Sequence, residues 1–274
     1  MRKNWLNGKT IVISGASSGI GRGIAQSLIE KYGCKVIGIG RNEQKMLSLL
    51  EELGDKSSLF LYKLFDVGSL ENWQGFAKEL KENNTQIDVL INNAGYLPPF
   101  KKFEKFNVQE VEDVMNVNYF SVVYGISCLL DLLKQSKTPA IINVSSMAAL
   151  TPLAGITGYS ASKGALKNFT ESLQQDYKKQ IYIGSIYPGF TRTDIFRMQN
   201  SKSESKLINM VSTSCEKMVK KCVKGISKRK KRMVYGFDCK TMNLFYKFFP
   251  VKSLSIFTSV MKKSNIEMFK DIFE

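Results

Sequence analysis

The chain has 274 residues, of which 43% are hydrophobic and 23% are charged. This length supports one large α/β domain with a well-buried core, and the composition gives no support for disorder. Basic residues outnumber acidic residues 40 to 24, histidine is absent, and the five cysteines include no CxxC pair, so a metal site is not expected.

Short apolar runs alternate with helical patterns along residues 1–190. Runs this apolar indicate strands that are buried on both faces, and strands separated by helices indicate right-handed βαβ units. The predicted strands are 10–14, 35–39, 59–65, 87–91, 140–144, 181–186 and 232–235. The predicted helices are 20–31, 69–81, 108–133 and 158–178. The pattern predicts an α/β Rossmann-type, doubly wound parallel sheet of about seven strands, with helices on both faces and a C-terminal helical extension.

A glycine-rich turn follows the first predicted strand. Gly15 lets the chain turn tightly, Gly19 leaves room for a pyrophosphate, and Gly21 lets the next helix pack closely on the sheet. The N-terminus of that helix offers free N–H groups and a partial positive charge to phosphates. This strand–turn–helix context is typical of a dinucleotide site. The turn residues predicted to bind the cofactor are Ser14, Gly15, Ser17, Ser18, Gly19, Ile20 and Gly21.

The end of the second predicted strand indicates which nicotinamide cofactor binds. An NAD site usually has an acidic residue there that binds the ribose 2′-hydroxyl. This chain has Arg41 instead, and an arginine is suited to a 2′-phosphate. Arg22, beside the glycine turn, is placed to assist. The alternative is that Arg41 is only a solvated loop residue, and we predict NADP(H).

A second group of residues points to proton transfer. Tyr159 and Lys163 are four positions apart, so on a helix they share one face. A nearby ammonium favours the phenolate and lowers a tyrosine pKa toward the useful range. Ser146 follows an apolar strand and can hydrogen-bond a substrate carbonyl. Asn118 offers an amide that can hold a water near Lys163.

Together these motifs resemble the short-chain dehydrogenase/reductase family over roughly residues 8–195. The resemblance implies that Asn118, Ser146, Tyr159 and Lys163 are the catalytic residues. It also implies cofactor contacts from four segments beyond the glycine turn and Arg41. These contacts are Asp66 and Val67 at the adenine, Asn92, Ala94 and Gly95 beneath the cofactor, Tyr159 and Lys163, and Pro188, Gly189, Thr191 and Thr193 near the nicotinamide and pyrophosphate.

The resemblance implies a mechanism as well. NADPH gives a hydride to a carbonyl carbon, and Tyr159 donates a proton to the oxygen, or the reverse. Lys163 lowers the tyrosine pKa and binds the nicotinamide ribose, while Asn118 supports a proton relay through water. We expect a small-molecule carbonyl or alcohol substrate, a homo-oligomer and a cytoplasmic location. The competing hypothesis is a non-catalytic NADP-binding sensor or scaffold, which would not need the proton donor.

In the family that the chain resembles, the part of the sequence after the Pro188–Gly189 segment varies with the substrate. The resemblance implies that residues 191–211 form a substrate lid, and Ile195, Phe196 and Met198 in it indicate an apolar pocket. Residues 201–274 hold 17 of the 40 basic residues and few of the acidic ones, so most of the net positive charge lies in this part of the chain. A nucleic-acid partner is nevertheless not expected. Within the aromatic and basic extension, residues 237–274, the segment 244–261 is too broken to span a bilayer. It is open to three interpretations: peripheral contact with an anionic membrane, a flap over the substrate, or a dimer surface.

Overall fold

The computed structural model describes residues 4–192, 212–264 and 266–274. Its centre is a parallel sheet of seven strands in the order β3-β2-β1-β4-β5-β6-β9. The strands are β1 Thr10–Ser14, β2 Lys35–Gly40, β3 Phe60–Leu64, β4 Val89–Asn92, β5 Ala140–Val144, β6 Tyr182–Pro188, β7 Thr191–Arg192, β8 Thr213–Ser214 and β9 Arg232–Tyr235. The two-residue strands β7 and β8 pair with each other. The predicted seven-stranded doubly wound sheet is therefore confirmed.

Helices cover both faces of the sheet. They are α1 Gly19–Tyr32, α2 Glu43–Leu53, α3 Leu70–Glu82, α4 Val108–Met115, α5 Ser121–Lys134, α6 Thr157–Asp176, α7 Cys215–Ser227, α8 Phe237–Phe248, α9 Pro250–Lys263 and α10 Lys270–Phe273. One apolar cluster packs α1, α2 and α7 against the sheet, and another packs α3, α5 and α6 against its other face. The sequence analysis did not identify α2, although Met46, Leu49 and Leu53 are buried at helical spacing.

The predicted helix 108–133 is confirmed in extent, with one irregular turn inside it. A π-helical turn, Asn116–Phe120, separates α4 from α5. Such a turn widens the backbone hydrogen-bond pattern by one residue, and it is common where a helix carries a functional side chain. Here it carries Asn118, which is fully buried.

The tract Val108–Lys134 is long and apolar enough to cross a membrane by composition alone. Its inward face, however, belongs to the core of the sheet, because Val122, Ile126 and Leu129 are buried among the strands. Core helices commonly pass that test, so the tract is accounted for by packing within the fold.

A third apolar cluster lies past the carboxyl ends of the strands. Cys239 from α8 and Ile272 from α10 are buried there with Met147, Leu153 and Tyr187. The C-terminal extension therefore packs over one end of the sheet, which is also the end where the candidate site lies.

Candidate active site

A cleft opens at the carboxyl ends of the strands, between the glycine turn and the start of α6. Its volume is about 300 Å³. In open α/β sheets ligands bind at this edge, where neighbouring strands connect in opposite directions. The predicted site residues that line it are Gly15, Ser17, Ser18, Gly19, Ile20, Arg41, Asp66, Val67, Ala94, Gly95, Ser146, Tyr159, Lys163, Pro188, Gly189 and Thr191.

The glycine turn has the backbone that its sequence predicted. Gly15 and Gly19 both have positive φ, 69° and 56°, which side chains rarely tolerate. A Cβ on Gly21 would lie 2.3 Å from the carbonyl oxygen of Gly15, so the turn and helix α1 can meet only at a glycine. Ser18 precedes α1 and makes no side-chain capping bond, which leaves the first turn of α1 available to an anion. The chemistry of this cradle fits a dinucleotide pyrophosphate.

Asn93 holds the turn in place and was not identified by the sequence analysis. Its side-chain amide donates to the carbonyl oxygens of Ser14 and Gly15, both at 3.2 Å. The Ser14 hydroxyl accepts hydrogen bonds from the backbone N–H groups of Asn93 and Ala94, at 3.0 and 3.1 Å. Ser14 is buried and does not line the cleft; it supports the turn from below.

The adenine end of the cleft is exposed and charged. Arg41 Nη1 lies 3.8 Å from Asp66 Oδ2, and the two side chains are 77% and 54% exposed. Asp66 Oδ1 also accepts a hydrogen bond from the N–H of Gly68. Arg22 does not point to this end: its guanidinium donates to the Lys45 carbonyl oxygen and the Ser48 hydroxyl, and joins α1 to α2. The expectation that Arg22 assists phosphate binding is therefore not supported by its contacts.

The three predicted proton-transfer residues meet in the cleft. Ser146 follows β5, where its hydroxyl accepts a hydrogen bond from the N–H of Ala148 at 3.1 Å. Helix α6 starts at Thr157, which places Tyr159 in its first turn and Lys163 one turn later. The ammonium of Lys163 is 5.8 Å from the centre of the Tyr159 ring. It is almost wholly buried and donates to the Val144 carbonyl oxygen at 3.3 Å.

Burial dominates the electrostatics of this group. It raises the pKa of Tyr159 above its ordinary value, while a hydrogen bond with the Ser146 hydroxyl acts in the opposite direction. Burial lowers the pKa of Lys163 from 10.5 to about 8. The sequence analysis expected the ammonium to lower the tyrosine pKa. In the structure burial outweighs the Ser146 hydrogen bond, so the pKa of Tyr159 is raised, and the lowering by the ammonium stays a prediction.

Two predicted asparagines lie behind the cleft rather than on its surface. Asn92 is buried and donates to Asn143 Oδ1 at 2.8 Å. Asn118 Oδ1 accepts from the N–H of Tyr96 at 2.8 Å, and its amide nitrogen donates to the Tyr96 carbonyl oxygen at 2.9 Å. That nitrogen also donates to the Ser162 hydroxyl, at 3.0 Å. Asn92 therefore supports the neighbouring Asn143 side chain, and the cofactor contact predicted for Asn92 is corrected to this supporting role. Asn118 positions the Tyr96 backbone, and the catalytic role predicted for Asn118 stays a prediction.

Gly95 nevertheless places Asn118 close to the catalytic lysine. A Cβ on Gly95 would lie 3.3 Å from Asn118 Oδ1 and 3.3 Å from Lys163 Nζ. The missing side chain leaves the two polar groups facing the same small space. A proton relay between them through water stays a prediction.

The far end of the cleft is apolar, and the sequence analysis did not identify most of it. The side chains that line it come from the loop after β4, the turn after β5 and the loop after β6: Leu97, Phe100, Met147, Leu153, Ile156 and Phe190. The predicted lid and Thr193 lie outside the described residues, except for Thr191 and Arg192.

A buried carboxyl fixes the loop after β6. Asp238, 5% exposed, accepts a hydrogen bond at Oδ2 from the N–H of Phe190 at 2.6 Å. A Cβ on Gly189 would lie 2.3 Å from either Asp238 oxygen, so the close approach needs glycine. Asp238 is 48 positions from Phe190, and no local pattern connects them in the sequence.

Comparisons with known proteins agree with this geometry. A family model described as "short chain dehydrogenase" matches residues 9–204. The chain is 31% identical over 229 residues to the 3-ketodihydrosphingosine reductase of Bos taurus, covering 80% of this chain and 68% of that protein. A short chain dehydrogenase of Shigella flexneri 2a, solved in complex with NADP, has 25% identity and a TM-score of 0.67, covering 78% of this chain and 100% of that one.

A more distant structure has the same fold. It is a short chain dehydrogenase/reductase of Burkholderia phymatum, solved in complex with NAD. The TM-score is 0.73 at 21% identity, and the match covers 85% of this chain and 90% of that one.

Proposed function

Because the chain belongs to the short-chain dehydrogenase family of oxidoreductases, we propose that it interconverts an apolar ketone or aldehyde and its alcohol with NADP(H). The observation that carries this proposal is the meeting of Ser146, Tyr159 and Lys163 in one cleft with the glycine turn. A sensor that only bound the cofactor would not need a phenol and an ammonium in the cleft beside its apolar end.

The residues divide the chemistry among them. Bound NADPH supplies the hydride, which adds to the carbonyl carbon. The Ser146 hydroxyl orients the carbonyl oxygen, and the Tyr159 phenol donates its proton to that oxygen, so that carbon gains the hydride and oxygen the proton. Lys163 is poised to bind the ribose and to attract negative charge that develops on the phenol. Asn118 and Gly95 leave room for a water that returns a proton to this group.

Arg41 supports NADP over NAD. It stands at the end of β2, is 77% exposed, and lies at the adenine end of the cleft. A 2′-phosphate there would gain charge-assisted hydrogen bonds from the guanidinium. Asp66 faces the same guanidinium and competes for it, but its carboxylate is half-exposed and its attraction is screened by solvent.

The apolar end supports a lipophilic substrate. Leu97, Phe100 and Phe190 line the cleft beyond Tyr159 and offer no charged group to a polar substrate. The bovine relative is named for a keto group in a long-chain base. We infer a ketone with a long apolar substituent as the substrate class.

The cellular setting is also a proposal. All five cysteines lie in the described residues and are free thiols. Free thiols are the usual state in a reducing compartment, which supports a cytoplasmic location. The proposed homo-oligomer is tested by sedimentation of the purified chain.

The test of the function is NADPH oxidation by the purified chain with a panel of short- and long-chain ketones. We expect turnover with an apolar ketone, and a loss of about 10²–10⁴-fold in Tyr159→Phe with NADPH binding retained. Tyr62→Phe on β3 removes a hydroxyl that donates to the Glu43 carboxylate, away from the cleft, and serves as the matched control. Tight NADPH binding without turnover of any ketone, aldehyde or alcohol would favour the sensor.

A further inference from the structure

The bend between α8 and α9 exposes a compact group of large apolar side chains. We define the hairpin tip as residues 247–252, of sequence KFFPVK. Phe248, Phe249 and Val251 are 65%, 51% and 78% exposed. Single exposed apolar residues are normal, but adjacent ones of this size mark an interaction surface.

The exposed surface continues from the tip along α8. Phe237, Leu244 and Phe248 are 82%, 59% and 65% exposed. Their spacing of seven and four residues places them on one face of the helix. Ile256 and Val260 are exposed one turn apart on α9. The hairpin therefore presents an apolar stripe along α8, interrupted by the exposed Lys240 and Thr241 between Phe237 and Leu244.

The charge around this stripe has one sign. Between residues 237 and 263 the only acidic residue is Asp238, and it is buried. Five lysines in the same span are exposed: Lys240, Lys247, Lys252, Lys262 and Lys263. Lys247 and Lys252 bracket the apolar tip directly. Aromatic side chains with flanking lysines are typical of helices that bind at the surface of an anionic membrane.

The same charge argues against a second copy of the chain as the partner. In a twofold-symmetric dimer a surface patch meets itself. The exposed lysines of the two copies would then face one another with no exposed carboxylate between residues 237 and 263 to pair with. Like charges across an interface cost several kcal/mol. Lysine is also depleted in protein–protein interfaces. An anionic lipid surface instead complements both the aromatic rings and the ammonium groups.

The base of the hairpin is rigidly attached beside the cleft. Asp238 bonds to the Phe190 backbone, and the Cys239 thiol donates to the Tyr187 carbonyl oxygen at 3.5 Å. Met242 and Met261 pack against the cluster that holds the apolar end of the cleft. A surface that binds the tip therefore lies at a fixed position relative to the substrate end.

We propose that the hairpin tip and the α8 stripe dock on an anionic phospholipid bilayer. The phenylalanine rings insert at the boundary between headgroups and acyl chains, and Lys247 and Lys252 bind the headgroup anions. The chain lies on the bilayer and does not cross it at this site, because the apolar run is too short and interrupted. Delivery of a lipophilic ketone from the bilayer to the cleft is a consequence that rests on the proposed function.

Vesicle flotation of the full chain tests the docking surface. We expect binding to vesicles of phosphatidylcholine with phosphatidylserine, and much weaker binding to phosphatidylcholine alone. The double variant Phe248→Ser/Phe249→Ser should lower the partition coefficient about 10–100-fold. The double variant Lys247→Ser/Lys252→Ser should lower it about tenfold on the anionic vesicles.

Two matched controls separate this surface from general effects. Leu61 is 63% exposed on β3, at the opposite edge of the sheet, so Leu61→Ser should leave flotation unchanged. Lys228→Ser/Lys230→Ser removes equal charge from the stretch before β9, at the other end of the strands, and should retain most of the binding. Thermal unfolding of each variant verifies that it folds.

The outcomes are distinct. Flotation of the phenylalanine double variant equal to that of the parent chain overturns the proposal. The proposal is also overturned if the parent chain does not bind vesicles but forms a dimer, and the phenylalanine double variant is a monomer. Loss of flotation with turnover of a water-soluble ketone intact confirms the docking surface alone. If the KM for a ketone carried in vesicles rises about tenfold in that variant, this supports delivery of the substrate from the bilayer. If the parent chain binds vesicles but does not oxidise NADPH, the proposed function fails while the docking surface stands.

Discussion

The ammonium of Lys163 lies 5.8 Å from the centre of the Tyr159 ring, and burial holds its pKa at about 8. Burying this charge costs folding free energy that the hydrogen bond of the ammonium to the Val144 carbonyl oxygen does not recover. The pair is therefore a site at which stability is given up for chemistry.

Lys163→Met should abolish turnover and yet stabilise the fold. At pH 7 the lysine is protonated in both states and the folded state bears the desolvation cost, so the substitution should raise the unfolding free energy by about 1–3 kcal/mol. Urea unfolding at pH 7 measures the difference. Lys167→Met is the matched control, since Lys167 is partly exposed and pairs with Glu171 at 2.8 Å; its effect should be under about 1 kcal/mol.

The same lysine gives the stability a specific pH dependence. Between pH 8 and 10.5 the unfolded chain keeps a proton that folded Lys163 has lost, so the stability of the parent chain rises with pH across this window. The advantage of Lys163→Met should shrink as the pH approaches 10.5. A constant advantage from pH 7 to 10 would show that the lysine is not desolvated in the fold.

Arg41→Asp should change the cofactor preference. Loss of the guanidinium and gain of a repelling carboxylate should weaken NADPH binding about 10–100-fold, while NADH binding holds or improves. Fluorescence titration with both cofactors measures the ratio. Arg22→Ala is the control, because Arg22 is engaged by the Lys45 carbonyl oxygen and the Ser48 hydroxyl. If both variants weaken NADPH binding equally, Arg41 is not the specific ligand of the 2′-phosphate.

The glycine turn should tolerate no added methyl group where the packing is closest. Gly21→Ala places a Cβ 2.3 Å from the Asn93 side-chain nitrogen, so we expect a loss of about 1–3 kcal/mol and weaker NADPH binding. Gly164, inside α6, has open space around its Cβ position. Gly164→Ala should instead stabilise the chain by about 0.5–1 kcal/mol. Thermal unfolding of both variants tests the contrast, and similar shifts for both would contradict it.

Asp238 should act through its oxygen atom more than its charge. Burial raises the pKa of the Asp238 carboxyl, and Oδ2 accepts from the Phe190 N–H. Asp238→Asn keeps an acceptor and should stay within about 1 kcal/mol of the parent stability. Asp238→Ala removes that acceptor, so it should cost about 1–3 kcal/mol and raise the KM for NADPH. Equal KM values for NADPH in the two variants would show that the Asp238–Phe190 hydrogen bond does not position the loop after β6 for the cofactor.

Much of this architecture could be predicted from the sequence, because the buried parallel strands are apolar at most positions. Strands β1, β5 and β9 begin and end where the pattern predicts. The glycine turn was predictable as well, since only glycine fits its φ angles. Helical spacing predicts that Tyr159 and Lys163 share one face, and Ser146 and Asn118 are needed beside them to identify a site.

Other features depend on contacts that no local pattern encodes. Asn92 and Asn93 are adjacent, and adjacent strand residues point to opposite sides, so the exact end of β4 decides which one supports the turn. The π-helical turn at Asn118 shifts the hydrogen bonding by one residue without changing the apolar pattern. Asp238 and Phe190 are 48 positions apart, and only the tertiary fold brings them together.

The most direct test of the account follows the transferred hydride. The purified chain is incubated with NADPH carrying deuterium in both positions at C4 of the nicotinamide and with the best ketone of the panel. The account predicts an alcohol with a single deuterium on its carbinol carbon, formed by the parent chain and about 10²–10⁴-fold more slowly by Tyr159→Phe. Alcohol without deuterium, or equal rates for both chains, would contradict it.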